Sequence, residues 1–296
     1  MAATVNIDGR ICSEREATVS VFDHGLLFGE GVYETLRTYD GTPFLFAQHL
    51  ARLRQSAERI ALVLPFSDAE LLDRLHATMS AADLPGEAYV RILLTRGVGD
   101  IMYDPRACPS PTLIIIVKPF VAPPEVTYQR GVKISLVSVV RNHPEALNPR
   151  IKSNNLINNA LAMQEAYKHG AFEALMLNYR SEISECAQSN FFIVRDGEVL
   201  TAPLEAGILP GITRGLVFEL GEQLSLPVRE ATLRYTDLPV ADEAFLTSTT
   251  REIAPVVMID DLTIGTGRPG PITTRLLWAF RGSRLELERA RLEVRG

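Results

Sequence analysis

The amino-acid sequence predicts a mixed α/β (α+β) fold divided into two domains. Three observations carry this. Runs with apolar residues at every second position alternate with runs spaced by three and four. A stretch at 118–131, "KPFVAPPEVTYQRG", holds three prolines and follows neither period. Beyond it the alternation starts again.

In the first part "TVSVFD" alternates at period two, and "GVYETLRTYDGTPFLF" reads as a hairpin about the turn "YDGT". "FAQHLARLRQSAERIAL" carries Leu50, Leu53, Ala57, Ile60 and Ala61 on one helical face. A second helix opens at Ser67, with Glu70 three residues on, which is the capping-box spacing. "AYVRILLTRG" and "TLIIIVKPF" follow as strands. The small domain is therefore expected over 1–118, with a linker at 119–131 and a larger domain over 132–296. In the latter, "VKISLVSVVR" reads as a strand, 153–168 as a helix, and "FEALMLN", "ISECAQSNFFIV" and "GEVLTA" as a meander. "GITRGLVFELGEQLSL" is a helix, and "EAFLTSTTREIAPVVMID" two strands about a small-residue break.

Composition narrows the function. The chain has 296 residues, 46% hydrophobic and 22% charged, which is globular composition. Its net charge of −6 is spread without blocks, so nothing marks a nucleic-acid or membrane partner. The longest aliphatic run, "LIIIV" at 113–117, is too short to span a bilayer. No basic segment followed by an apolar one opens the chain, and a cytoplasmic location is expected. Cys12, Cys108 and Cys186 are widely spaced and give no disulfide framework. The five histidines are scattered, so no metal is expected. "GTGRPG" at 265–270 has dinucleotide-loop spacing but lacks a strand feeding directly into a helix, and no G-x-S-x-G elbow exists.

Four features could carry chemistry. Lys152 stands ahead of a helix N-terminus, whose partial positive charge disfavours a second one and would favour an unprotonated amine. It could equally be a solvated loop lysine. "ILPGITRG" places Pro-Gly before a helix beginning Ile212-Thr213, either a capped turn or an anion site of backbone N–H groups and a hydroxyl. "TSTT" at 247–250 offers similar donors, or is only a turn. Glu185 lies in a half-buried strand-like run, where it either faces solvent or neutralises something positive. A lysine for an aldehyde, donors for a phosphate and an acid for a protonated ring nitrogen are together what pyridoxal 5'-phosphate (PLP) needs.

"FDHGLLFGEGVYETLRTYDG", "HLARL", "NPRIKSNNLINNALA", "ISECAQSNFFIV", "GILPGITR" and "FLTSTTREIAPV" resemble, in order, motifs of the class IV (fold type IV) PLP enzymes. That family includes branched-chain and D-amino acid aminotransferases and aminodeoxychorismate lyase. The resemblance implies a small α/β domain and a larger pseudo-barrel domain. It makes Lys152 the catalytic Schiff-base lysine and Glu185 the partner of the ring nitrogen. It assigns Arg52, Ile212, Thr213 and Thr249 to the phosphate, and Phe28, Tyr33, Thr35, Arg91, Tyr103 and Thr250 to the substrate. It also implies a homodimer with the site at the subunit interface, the loop "GVGDIMYDP" reaching toward the neighbour. The expected reaction is transamination between an aliphatic, branched-chain L-amino acid and 2-oxoglutarate. D-amino acid enzymes carry an Arg-x-His pair that "GVGDIMYDPRACP" lacks, and Thr35 stands where the lyase has a functional threonine. These two activities are the alternatives, the lyase releasing pyruvate; a protein without turnover is not expected.

Overall fold

The computed structural model describes residues 3–293, with side chains through Ser283. Two compact units emerge: residues up to Val121 together with Ile151–Asn155, and Ala122–Arg150 together with Leu156 onward.

In the first unit strands β1 (Thr4–Ile7), β2 (Arg10–Ser13), β3 (Gly31–Tyr39), β4 (Thr42–Pro43), β5 (Ala88–Thr95) and β6 (Thr112–Pro119) form one antiparallel sheet in the order β2-β1-β6-β5-β3-β4. Helix α1 (His24–Leu27) is a single turn, and α2 (Phe46–Glu58) and α3 (Asp68–Ala82) supply the helical layer. Alternation along β3 and β5 sends Val32, Leu36, Val90, Ile92 and Leu94 into a core shared with Leu50 and Leu53 of α2 and Leu71 and Leu75 of α3. The expected hairpin is present: Asp40 and Gly41 both adopt positive φ, 48° and 73°, the conformation of a two-residue turn that matches strand twist. The Ser67–Glu70 capping box is also formed.

"TVSVFD" is not a strand. Residues 18–22 make no ladder, and Val19, Val21 and Phe22 are exposed, because alternation without a partner strand has no backbone hydrogen bonds to satisfy it. The stretch read as a linker contains a short helix, α4 (Glu125–Arg130), opened by Pro124 and closed by Gly131 at φ 75°.

The second unit continues with β7 (Val132–Leu136), α5 (Ile157–Lys168), β8 (Ala174–Leu177), β9 (Ile183–Cys186), β10 (Asn190–Arg195), β11 (Glu198–Thr201), α6 (Ile212–Leu224), β12 (Val228–Glu230), β13 (Glu243–Ser248), β14 (Glu252–Ile259), β15 (Leu262–Thr263) and α7 (Pro271–Glu293). Its sheet runs β12-β11-β10-β13-β14-β7-β8-β9, with β15 beside β14. "ISECAQSNFFIV" is two strands rather than one, broken at 187–189 where the Cys186 N–H donates to the Ser189 carbonyl at 2.8 Å. That break shapes the unit. Although β9 ends the sheet, the tight turn returns the chain to β10, with four strands lying between the two in the sheet order, so the sheet must curl into the pseudo-barrel.

Helix α5 begins at Ile157, not at residue 153. Residues 152–154 pair instead with β3 of the first unit: Tyr33 N–H donates to Lys152 O at 2.9 Å, Ser153 bridges Val32, and Asn154 N–H donates to Gly31 O at 2.9 Å. The strap lies along the part of β3's outer edge that the short β4 leaves uncovered. Lys152 is thus held by a sheet edge, five residues before the helix rather than at its end.

Candidate active site

In the first unit, Tyr33 and Thr35 of β3 alternate away from the core face, and their cross-strand partners are Leu93 and Arg91 of β5. Arg91 and Thr35 are therefore neighbours, and the Arg91 guanidinium lies over the Tyr33 ring, 4.0 Å from its centre. Lys152 Nζ lies 4.5 Å from the same ring centre. The amine of Lys152 and the guanidinium of Arg91 thus share one buried aromatic ring, whose electron-rich face attracts N–H groups. The Lys152 N–H donates to Ser56 Oγ of α2 at 3.2 Å, which fixes the strap from a second side.

Arg52 of α2 is buried on the core side of the sheet. Its Nε and Nη2 donate to the two carboxylate oxygens of Glu34 at 2.7 and 2.8 Å, and His49 Nδ1 lies 2.7 Å from Glu34 Oε2. Burial works to raise Glu34, but Arg52 and His49 overcome it and hold the carboxyl well below the usual carboxylate range. Burial depresses His49, against the opposing pull of Glu34. Neither Glu34 nor His49 is evident from the sequence as part of a site, since each sits in a run that reads as strand or helix core.

Phe28 and Tyr103 form a separate pair, ring centres 5.0 Å apart, with His24 edge-on to Phe28 at 4.8 Å. His24 Nδ1 meets Glu30 at 3.1 Å and its Nε2 meets Asp100 O at 2.8 Å, so this cluster ties the 97–105 loop to α1. Tyr103 itself is 85% exposed.

The second unit gathers its groups about Asn190, which sequence reasoning missed. Glu185 is buried, and its carboxylate accepts from Arg141 Nε at 2.9 Å, Asn190 Nδ2 at 3.2 Å and Leu209 N–H at 3.0 Å. Arg141 also donates to Asn158 Oδ1 at 3.2 Å. Asn190 donates to Leu209 O at 2.9 Å as well, so it clamps the turn that leads into α6. Across the ladder Asn190 is the register partner of Thr247, whose buried hydroxyl has no hydrogen-bond partner. Gly211 caps α6 so close to Asn190 that a Cβ there would lie 1.9 Å from Asn190 Oδ1. Ile212 and Thr213 form the first turn of α6, and their N–H groups lack intrahelical acceptors. Thr249 and Thr250 sit half-buried in the turn from β13 to β14. That turn is anchored by Arg251, which pairs with buried Glu173 and donates to Ser189 Oγ at 3.2 Å. Among the described residues no cluster of His, Cys, Asp and Glu is fit for a metal ion.

The amino-transferase class IV family profile matches residues 31–259. The chain belongs to the class IV aminotransferases. A Methanocaldococcus jannaschii protein, whose own assignment as a branched-chain-amino-acid aminotransferase is provisional, is 39% identical over 280 residues, covering 95% of this chain and 96% of that protein. A D-alanine aminotransferase of Listeria monocytogenes is 34% identical over 275 residues, covering 92% of this chain and 93% of the relative. The crystal structure of the Escherichia coli branched-chain amino acid aminotransferase superposes with a TM-score of 0.91 at 32% identity, covering 95% and 94% of the two chains.

Class IV aminotransferases use PLP and act on amino and oxo acids. The groups in this aminotransferase fit that cofactor. The sequence has only four lysines, and of these Lys118 and Lys168 are solvent-exposed, whereas Lys152 is half-buried against Tyr33. Glu185 is an acid kept in the interior by an arginine and two N–H donors, as a partner for a ring N–H⁺ must be. Near Asn190 the Thr247 hydroxyl is buried and unsatisfied, and the Ile212 and Thr213 N–H groups at the start of α6 lack intrahelical acceptors. Both are features of a surface built for an anion.

Proposed function

We propose that this aminotransferase moves the amino group between an aliphatic, branched-chain L-amino acid and 2-oxoglutarate, with PLP bonded through Lys152. The observation that carries the reading is the Tyr33 face, where the Lys152 amine and the Arg91 guanidinium flank one buried aromatic ring at 4.5 and 4.0 Å. A base, a carboxylate partner and an apolar wall stand together there. The absence of an Arg-x-His pair in 97–109 supports the L over the D substrate.

Lys152 would hold the aldehyde, Glu185 the ring nitrogen, and Arg52, the Ile212 and Thr213 N–H groups, the Thr213 hydroxyl and Thr249 the phosphate. When bound, PLP supplies an aldehyde for the amino nitrogen and a protonated ring that draws electrons from the substrate Cα. Lys152 Nζ, as a free amine, takes the proton from the substrate Cα. Its backbone bonds to Tyr33 and Ser56 fix where that amine starts, so little order is lost at the transfer. Arg91 holds the substrate carboxylate, with Tyr33 and the N–H groups near Thr250 beside it. Thr35, the cross-strand partner of Arg91, sets the floor of that subsite. Phe28 and Tyr103, whose rings meet tilted at 51°, receive the aliphatic side chain.

A homodimer accompanies this reading. Val19, Val21, Phe22, Leu26, Val98, Ile101 and Met102 are exposed along segments joined by the Gly99 N–H to Phe22 O bond, an apolar surface that a second copy would cover. No helix among the described residues is long and apolar enough to cross a membrane, and the three cysteines are free thiols, which fits a reducing cytoplasm.

The test is a half-reaction on the holoenzyme: single L- and D-amino acids are added without acceptor, and the cofactor's visible band is followed. Bleaching by L-leucine, L-isoleucine or L-valine is expected. Bleaching by D-amino acids alone would assign the chain to D-amino acid transamination, and pyruvate release without a second oxo acid would assign it to the lyase.

A further inference from the structure

We propose that Glu34 and His49 are positioning residues, which fix the plane of the Arg52 guanidinium so that it meets the cofactor's phosphate. This rests on the reading above that Arg52 holds that phosphate.

Glu34 follows Tyr33 in β3, so its side chain leaves the opposite face of the sheet, toward α2. On α2, His49, Arg52 and Ser56 stand at i, i+3 and i+7, a single helical stripe. The stripe has three tasks. Ser56 takes the backbone N–H of Lys152, Arg52 grips Glu34, and His49 grips it as well. Arg52 is therefore one turn of helix from the residue that fixes the lysine strap.

The grip on Arg52 is two-pronged. Nε and Nη2 reach separate oxygens of one carboxylate at 2.7 and 2.8 Å, and this fork leaves the guanidinium no freedom to rotate about its last bond. The carboxylate is fixed in turn by His49 at 2.7 Å. An ionised carboxylate only accepts, so the proton of the imidazole is on Nδ1 and Nε2 carries a lone pair. That Nε2 is buried and has no hydrogen-bond partner. A buried ring that leaves one nitrogen unsatisfied is a poor choice for packing alone, and what it gains is the bond to Glu34.

Two consequences of Glu34 oppose each other. Its negative charge cancels that of Arg52 and so weakens attraction for an anion, whereas its fork aims the remaining guanidinium N–H groups. The sign of a substitution separates them. If charge dominated, Glu34→Gln would tighten phosphate binding; if aim dominates, as proposed, it weakens it.

The experiment is cofactor release from the holoenzyme, followed by loss of its visible band after dilution, for protein loaded with PLP and with pyridoxal, which lacks the phosphate. E34Q and H49A are expected to release PLP at least about tenfold faster than the wild type, the scale of a lost hydrogen bond to a charged group, while release of pyridoxal stays within about twofold. H49N, whose amide N–H stands in for Nδ1–H, is expected to restore slow release without the imidazole, which a loss of fold at H49A would not permit. In an R52Q background, E34Q is expected to add nothing further. Equal or slower PLP release by E34Q overturns the proposal, and so does equal acceleration of PLP and pyridoxal. A wild type that forms no band bonded to Lys152 would instead overturn the reading of the site on which the proposal rests.

Discussion

Replacing Arg141 with Met tests whether Glu185 is held as a buried anion. The two side chains are 9% and 6% exposed and meet at 2.9 Å. Removing one partner of a pair in such a setting leaves an uncompensated charge and costs about 3–5 kcal/mol. For a unit of this size about 1 kcal/mol corresponds to a 2–4 °C shift in Tm, so R141M is expected to lower the midpoint of the second unit by roughly 6–20 °C. Substituting Glu185→Gln in the same protein removes the orphaned charge, while the amide oxygen still accepts from the Leu209 N–H. The double variant is therefore expected to recover most of the loss, with a coupling of about 2 kcal/mol or more. Differential scanning calorimetry on wild type, both single variants and the double variant reads the cycle. A loss of less than about 1 kcal/mol in R141M, or simple additivity in the double variant, would refute the claim that Arg141 keeps Glu185 ionised in the interior.

Gly211→Ala places a Cβ 1.9 Å from Asn190 Oδ1 and must displace the side chain that clamps Glu185 and the Leu209 carbonyl. It is expected to cost about 1–3 kcal/mol by overpacking and to weaken PLP binding, read as a lower Tm and faster cofactor release. Glu34 gives a pH dependence: its folded-state value lies below the unfolded carboxylate value, so its stabilisation is complete above about pH 4.3 and is lost as pH falls beneath that. The midpoint of the wild type should drop between about pH 4 and 2, and E34Q should show a shallower slope there, measured by thermal unfolding across that range.

What could be read from the sequence was local. The Asp40-Gly41 turn and the Ser67–Glu70 cap are set by neighbours within three residues, and both formed as the residues dictate. The curled sheet and the family agree with the expectation drawn from the six motifs. The misses share one cause, tertiary pairing that overrides a local period. Residues 153 and 154 continue the helical spacing of α5, yet they pair with β3, more than a hundred residues earlier in the chain. "TVSVFD" has the period of a strand but no strand to pair with. Glu185 was visible as a misplaced acid, whereas its partner Arg141, 44 residues before it, looked like the end of an ordinary strand. Asn190 and the Glu34–His49–Arg52 set were hidden for the same reason: each is defined by partners brought together only by the fold.

With only four lysines in the sequence, the bond between Lys152 and the cofactor is directly testable. Borohydride reduction of the holoenzyme, followed by digestion and mass spectrometry, fixes the cofactor to whichever lysine carries it. One pyridoxyl-phosphate adduct is expected, on the peptide containing Lys152, with no adduct in Lys152→Ala. An adduct on Lys118, Lys133 or Lys168, or undiminished labelling of the Lys152→Ala variant, would contradict it.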